Sequence, residues 1–178
     1  LSVVDEEWYT GRQHTSFPSG EAIPWAVRDS MVRCREFAAK GGELRQDVRE
    51  GGSDDKRLFI RYPELREVFK VMHREGNTIS PMLRTAFDGD RMENAGKTNP
   101  CSVREHHISF IGHITPDELT RTVRAAELSN GLVNRFLWVL TRSERDIPNP
   151  VRMDEATRDE LAKAFRLALE FAKDEREY

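Results

Sequence analysis

Three side chains, Glu64, His113 and Arg135, combine a chemically capable group with a position at one end of an apolar run. Glu64 stands between an apolar run and a helical pattern, where a carboxylate can hold a metal ion or polarise a water molecule. His113 ends the run HISFIG, where an imidazole can contact a phosphate. Arg135 opens the run FLWVL, where a guanidinium can meet an arriving anion. These residues are the candidates for phosphate and metal-ion chemistry.

Each candidate also has a purely structural interpretation. Glu64 can instead be an acid in the first turn of a helix, where the helix dipole favours negative charge. His113 can be a histidine at a strand end with a local hydrogen bond. Arg135 can form an ion pair with an acid such as Glu127 or Asp117. The pattern of residues leaves both interpretations open.

Strands and helices in alternation must position these residues. In KRLFIRYPELREVFKVM (56–72) an apolar strand ends near Tyr62, and a helix with apolar residues at helical spacing follows. HHISFIGHIT (106–115) predicts a second strand, and FLWVL (136–140) predicts a third strand covered on both faces. This order implies an α/β fold with a mostly parallel sheet flanked by helices. Ligands of such sheets bind at the carboxyl ends of the strands, where the candidate carboxylate and imidazole fall.

The rest of the chain adds helices and loops around this alternation. TPDE (115–118) carries three helix-start signals: a threonine cap, a proline in the first position and a glutamate three residues after the cap. That helix is expected to carry Leu119, Val123 and Ala126 inward and to stop at Asn130-Gly131. Further expectations are a helix start in SFPSGEA (16–22), a flexible surface excursion in GGELRQDVREGGSDD (41–55), a short helix around Met82 to Phe87 with a loop or hairpin behind it, and an amphipathic helix from Asp154 to Lys173.

Composition limits the class of protein. The 178 residues, 38% of them hydrophobic, can bury one sizeable core. A formal net charge of -3 and a pI of about 6.0 exclude a general basic surface, so that any contact with DNA would be local. No apolar run reaches the roughly 18 residues that a membrane span needs. Because Cys34 and Cys101 form no CxxC pair, a reducing cytoplasm is the expected location.

Two apparent motifs carry no chemistry. His106 and His107 are neighbours, so on a strand their side chains point to opposite faces and cannot bind one metal ion together. GKT (96–98) matches the end of a phosphate-binding loop, but the first glycine of that motif and its flanking strand and helix are missing. A zinc site is therefore rejected, and GKT is interpreted as a chance match.

Five blocks of sequence in order resemble the YfjI-like domain-of-unknown-function family of bacterial, phage and plasmid proteins. The blocks are SGEAIPWAVRD (19–29), RLFIRYPEL (57–65), GNTISPMLRTAFDGD (76–90), HISFIGHITPDEL (107–119) and NGLVNRFLWV (130–139). The resemblance covers roughly residues 5 to 142. Members of this family carry a P-loop ATPase or helicase-like module, often beside a primase-polymerase.

The resemblance implies a partial P-loop NTPase (RecA-like) core in residues 1–145 and a C-terminal helical extension in residues 146–178. ATP and Mg²⁺ are the implied cofactors, and Glu64 would orient the attacking water or join the magnesium shell. His113 would lie near the γ-phosphate, and Arg135 would be an arginine finger or sensor. DNA, a primase-polymerase domain and self-association as a hexamer are the implied partners. The implied function is part of an ATPase or helicase-like module of a phage- or plasmid-type DNA replication protein.

Two departures from the family pattern support an alternative. The family's phosphate-binding loop lies upstream of the SGE block, and residues 1–18 do not contain it, so the chain is expected to be truncated or degenerate. Tyr62 takes the place of the acidic residue of the Walker B strand, and a phenol cannot replace a carboxylate in a magnesium shell. The alternative is a catalytically inactive module that binds replication or regulatory proteins, or DNA through Arg121 and Arg124. For an unrelated enzyme, the sequence offers no nucleophile and base in suitable spacing.

Overall fold

The computed structural model describes residues 3–39, 42–96, 100–142, 144 and 148–174. The chain divides into two compact units, one of which is Gln13–Leu137 and the other Leu1–Arg12 with Trp138–Tyr178. The functional division expected between residues 145 and 146 stays a prediction, because a packing unit does not define a functional domain.

A three-stranded parallel sheet lies at the centre of the larger unit. Its middle strand is β4 (Arg57–Tyr62), which pairs in parallel with β7 (His107–Gly112) along its whole length and with the short β1 (Gln13–His14) at Phe59 and Ile60. The prediction of an α/β fold with a parallel sheet flanked by helices is therefore confirmed for these strands.

The third strand of this sheet is β1, and the prediction that FLWVL (136–140) forms it is wrong. A 3₁₀ turn at Val133–Arg135 precedes this segment, which forms no strand. Leu137 is 92% exposed and Leu140 is 85% exposed. Apolar composition favours burial but does not specify a hydrogen-bonding partner, and a strand exists only where a neighbouring strand edge is paired with it.

Two helices connect β4 to the next elements, and two more follow β7. These helices are α3 (Leu65–Met72), α4 (Ile79–Asp88), α5 (Pro116–Thr122) and α6 (Ala125–Ser129). The α3 helix and the helix around Met82 to Phe87 agree with the predictions.

The helix start at TPDE is confirmed, because Thr115 Oγ1 accepts a hydrogen bond from the Glu118 backbone N–H at 3.3 Å. The helix is nevertheless shorter than predicted. Val123 leaves the helical conformation with φ -68° and ψ 125°, and a new helix begins after Arg124. Ala126, which was expected to face inward, is exposed. The predicted stop is confirmed by Gly131, whose φ of +77° favours glycine.

Two hairpins complete the larger unit. The strands β2 (Met31–Ala39) and β3 (Gly42–Glu50) pair antiparallel in their own two-stranded sheet, so the prediction of a flexible surface excursion at 41–55 is wrong for residues 42–50. Residues 51–55 form neither helix nor strand, as predicted. The segment 41–55 is highly charged and has only two apolar residues, so its sequence gives no strand signal. The β3 strand forms because pairing with β2 satisfies its backbone N–H and carbonyl groups. The hairpin expected behind α4 is confirmed as β5 (Met92–Asn94) and β6 (Cys101–Val103).

The hydrophobic core lies between one face of the sheet and the helices. Leu58, Ile60 and Tyr62 alternate inward from β4 and are buried. The helix α2 (Ala22–Ala26) follows the predicted turn, and Gly20 lies where a Cβ atom would be 2.3 Å from the carbonyl carbon of Thr78. The other buried residues of this core are Phe17, Ile23, Val27, Leu65, Val68, Phe69, Ile79, Leu83, Met92, Val103 and Leu132.

The smaller unit consists mainly of α1 (Glu6–Gly11) and α7 (Glu155–Asp174). The predicted C-terminal helix is confirmed to within one residue at each end. Arg166 Nη2 donates a hydrogen bond to the Val3 carbonyl at 2.6 Å. Asp154 accepts a hydrogen bond from the Thr157 backbone N–H at 2.9 Å, and this bond holds the pKa of the Asp154 carboxyl below its ordinary value.

Candidate functional site

Glu64 and His113 lie at the carboxyl edge of the parallel sheet, where the sequence predicted them. The His113 N–H donates to the Tyr62 carbonyl at 3.0 Å, and the Leu65 N–H donates to the His113 carbonyl at 2.8 Å. These two bonds place the residue after β7 directly beside the start of α3. Glu64 and His113 therefore follow neighbouring strands at one edge.

Both candidate side chains are exposed. Glu64 is the N-cap residue of α3, but its carboxylate makes no capping hydrogen bond. Glu64 thus lies at the amino end of α3, where the helix dipole favours its negative charge, and its carboxylate oxygens remain available to a ligand. His113 likewise contributes its backbone to the sheet and leaves its ring at the surface.

Gly112 brings these two strand ends together. A Cβ atom at this position would lie 2.9 Å from Leu65 Cδ1 and 3.1 Å from Leu65 Cβ. A side chain here would push the first turn of α3 away from β7. Gly112 therefore allows α3 to pack closely against the end of β7, the strand that His113 follows.

Arg135 is held by Asp88 at the end of α4. Arg135 Nε donates to Asp88 Oδ1 at 3.1 Å and Nη2 donates to Oδ2 at 2.7 Å, which is the two-pronged geometry of a strong arginine–carboxylate pair. Nη1 donates to the Gly131 carbonyl at 3.1 Å. Asp88 is thus the partner, where the sequence suggested Glu127 or Asp117. In the part of the chain that the structure describes, Arg135 makes no polar contact with Glu64 or His113.

This pair predicts a pH dependence. The hydrogen bonds from Arg135 lower the pKa of the Asp88 carboxyl from its ordinary value. A group whose pKa is lowered in the folded state stabilises that state above its unfolded pKa, and the contribution disappears as the pH falls through the folded pKa. We expect carboxyl-carbon NMR titration to give a lower Asp88 pKa in the native chain than in Arg135→Gln. Equal values in the two proteins would show that the pair does not form in solution.

Tyr62, which the family resemblance aligns with the acidic residue of a Walker B strand, is part of the core. Its hydroxyl accepts a hydrogen bond from the Phe17 N–H at 2.6 Å and donates to the Phe17 carbonyl at 3.4 Å. Burial raises the pKa of the Tyr62 phenol from its ordinary value. The Tyr62 side chain therefore connects the N-terminal segment of the larger unit to β4, and only the Tyr62 backbone contributes to the exposed edge.

Glu127 and His73 form a buried contact that the sequence did not predict. Glu127 Oε1 lies 3.2 Å from His73 Nε2, and the two side chains are 8% and 11% exposed. The atoms are at ion-pair distance, although their alignment is not that of a hydrogen bond. Glu127 Oε2 also accepts from the Arg124 N–H at 2.9 Å. A glutamate three residues into a helix was the available signal, because such a residue can reach back to the cap.

The remaining sequence motifs give no further site. The described residues contain no group of three or more His, Cys, Asp or Glu side chains that could hold a metal ion. His106 Nε2 lies 2.9 Å from the Asp90 carbonyl, a local contact. Lys97 and Thr98 of the GKT motif lie outside the described residues. Within the ranges that the structure covers, no helix has both the length and the hydropathy for crossing a bilayer.

The fold and the edge define a mixed α/β protein with a parallel sheet whose carboxyl edge carries an exposed carboxylate and an exposed imidazole. Comparison of the chain with protein-family models, with curated proteins and with solved structures finds no match.

Proposed function

We propose that the chain is part of an ATPase or helicase-like module of a phage- or plasmid-type DNA replication protein. The observation that carries this proposal is the position of Glu64 and His113 after neighbouring parallel strands, joined through the backbone of His113. In parallel α/β sheets this edge is where ligands bind. The resemblance of five ordered sequence blocks to the YfjI-like family adds the class of ligand, which is ATP with Mg²⁺.

The available ligands fit a magnesium ion that is bound mainly through a nucleotide. Mg²⁺ commonly takes one or two protein carboxylates and completes its shell with phosphate oxygens and water. Glu64 supplies one exposed carboxylate without a capping bond. The bound ion would neutralise phosphate charge, His113 would contact the terminal phosphate, and Glu64 would orient water. The family resemblance aligns Tyr62 with the Walker B acid, so Glu64 would be the one protein carboxylate that supports the magnesium ion.

Arg135 can serve as a finger or sensor only by exchanging its partner. Its guanidinium is bound to Asp88 in a bidentate pair, and two oxygens of a phosphate group can accept a bidentate pair of bonds from arginine as well. We propose that the arginine leaves Asp88 when nucleotide binds across a subunit boundary of a hexamer. In the absence of nucleotide, Asp88 would hold the Arg135 side chain in a defined position.

Glu64→Gln is the test of the proposed nucleotide site. We expect the chain to bind a fluorescent ATP analogue more tightly when Mg²⁺ is added. Glu64→Gln should lower this magnesium-dependent affinity about tenfold, since loss of a group that supports a metal ion costs about that much. The measurement is a titration of fluorescence anisotropy with and without Mg²⁺.

Glu75→Gln is the matched control, because Glu75 is an exposed glutamate beyond the other end of α3. It should bind the analogue like the native chain. Absence of magnesium-dependent binding in the native chain, or equal affinities of the native and Glu64→Gln proteins, would contradict the nucleotide site at this edge.

A catalytically inactive binding module is the second candidate, and two observations favour it. Arg135 is neutralised by Asp88, and Tyr62 is a buried core residue. Arg121 and Arg124 are exposed and available to DNA phosphates at the junction of α5 and α6. This candidate predicts DNA binding with a steep salt dependence and no ATP hydrolysis, because phosphate contacts release counterions.

A further inference from the structure

The smaller unit carries an apolar surface along α7. Six side chains share one side of this helix, because they recur at spacings of three and four residues. They are Leu161, Ala164, Phe165, Ala168, Phe171 and Ala172, and we call this set the α7 stripe. All six are exposed, and none is charged. The three large members are 44%, 54% and 65% exposed, so the stripe offers an apolar surface to a partner.

The contacts that α7 makes within its own unit lie on a different side of the helix. Ala162 is buried, and Arg166, one turn later, donates through Nη2 to the Val3 carbonyl at 2.6 Å. These two positions lie roughly 100° and 140° round the helix from Leu161, whereas Phe165 lies about 40° from it. The buried side of α7 therefore leaves the α7 stripe open.

The spacing along the stripe suits lengthwise packing against a second helix. Leu161, Phe165, Ala168 and Ala172 follow one another at steps of four, three and four residues. This is the spacing of the seam between helices that pack side by side. The seam is about 17 Å long at the rise of an α-helix. A helix is therefore the partner that the stripe fits.

The α7 stripe is complementary in size to itself when two copies run antiparallel. With Phe165 facing Ala168 of the second copy, Leu161 faces Ala172 of the second copy, and a two-fold axis repeats both contacts. Beside the seam, Phe171 lies next to Ala164 of the second copy. Each large side chain then meets an alanine, so that no layer holds two large side chains or two small ones.

Two other arrangements fit the stripe less well. A parallel pair would place two Phe165 rings in one layer and two Ala168 methyl groups in the next, which crowds the first layer and leaves a gap in the second. A membrane surface favours a helix whose polar side is rich in lysine and arginine. The charged positions between residues 159 and 170 instead hold three acids and two bases.

We propose that α7 pairs in the antiparallel direction with α7 of a second copy of this chain, through the α7 stripe. The contact is symmetric about a two-fold axis between residues 166 and 167, and it joins two chains only. It goes beyond the hexamer of the proposed function and requires neither nucleotide nor Glu64. Because the seam is short, we expect a dimer that dissociates in the micromolar range.

Sedimentation equilibrium of the full chain without nucleotide, over a range of micromolar concentrations, tests the pair. We expect the native chain to pass reversibly from monomer to dimer. Ala168→Phe should raise the dissociation constant at least about tenfold, because it places two rings in each central layer. Phe165→Ala should raise it about tenfold, because each central layer then holds two alanines.

Mixing variants tests which residues meet across the contact. In a heterodimer of the Phe165→Ala and Ala168→Phe chains, each central layer again holds one phenylalanine and one alanine. The mixture should therefore dimerise with near-native affinity, although each variant alone dimerises weakly. Cross-linking gives the direction: Leu161→Cys mixed with Ala172→Cys should form a disulfide between these positions, identified by mass spectrometry of the peptides. Disulfides between two copies of residue 161 would indicate a parallel pair and overturn the proposed direction.

Leu167→Ala is the matched control, because Leu167 is 59% exposed but lies roughly 120° round the helix from Leu161. It should dimerise like the native chain, and circular dichroism should show equal helix content in all variants. A native chain that stays monomeric, or that binds vesicles of phosphatidylserine and phosphatidylcholine without dimerising, would overturn the inference. A dimer of unchanged affinity in Ala168→Phe would also overturn it. The magnesium and ATP titration decides the nucleotide site separately.

Discussion

Phe69→Ala is expected to lower the free energy of unfolding of the larger unit by about 3–5 kcal/mol, the usual cost of truncating a buried phenylalanine. Phe69 is 1% exposed on α3 and belongs to the core beneath β4. Removing its ring deletes apolar contacts and leaves a cavity that the neighbouring sheet and helices fill only partly. Urea denaturation followed by tryptophan fluorescence measures the change.

Phe87→Ala provides a matched comparison, because the same substitution is made on the next helix at a side chain that is 64% exposed. It should cost less than about 1 kcal/mol, including any contribution of the ring to the Arg135 guanidinium 5.8 Å away. Equal losses in the two variants would show that α3 does not pack on the sheet as described.

Glu127→Ala is expected to cost about 2–3 kcal/mol, although glutamate is among the residues that proteins bury least often. The substitution removes the acceptor of the Arg124 N–H and the partner of His73 at once. It therefore leaves the Arg124 backbone N–H without its acceptor and the nearly buried His73 imidazole without a neighbouring carboxylate. The measurement is the change in the free energy of unfolding by urea at neutral pH.

Glu127→Gln separates the two contributions. Its amide oxygen can still accept from the Arg124 N–H, so this variant should lose less stability than Glu127→Ala. Glu75→Ala controls for removing a glutamate at an exposed position and should change the free energy of unfolding by less than about 0.5 kcal/mol. A Glu127→Ala protein as stable as the Glu75→Ala protein would refute the buried contact.

These two predictions bear on the candidate site because the residues concerned belong to or contact α3, the helix that Glu64 precedes. Glu64 precedes the first turn of α3, and His73 caps its other end and contacts Glu127. Phe69 packs the middle of the same helix into the core. The position of Glu64 beside His113 therefore depends on contacts at both ends of one short helix and along its buried side. We expect destabilising variants of Phe69 and Glu127 to weaken ligand binding at the edge without touching it.

Local sequence patterns determined the elements that carry Glu64 and His113. The change from a strand to helical spacing at Tyr62 predicted the end of β4 and the start of α3 correctly. Thr115 and Pro116 predicted the start of α5, and Asn130-Gly131 predicted the end of α6. These signals succeed because caps, proline and positive-φ glycine act on backbone groups within one turn. The placement of Glu64 and His113 at one edge followed from the predicted parallel pairing of the two strands.

Only the tertiary structure decided which distant groups pair. Arg135 is 47 residues from Asp88, and its short-range alternatives Glu127 and Asp117 are not its partners. The same limit applies to FLWVL, whose apolar residues predicted a strand although β1 became the third strand. It applies also to the charged strand β3, whose pairing with β2 no periodicity revealed. Sequence patterns record preferences for burial and backbone conformation, whereas ion pairs and strand edges depend on which partners folding brings within about 3 Å of each other.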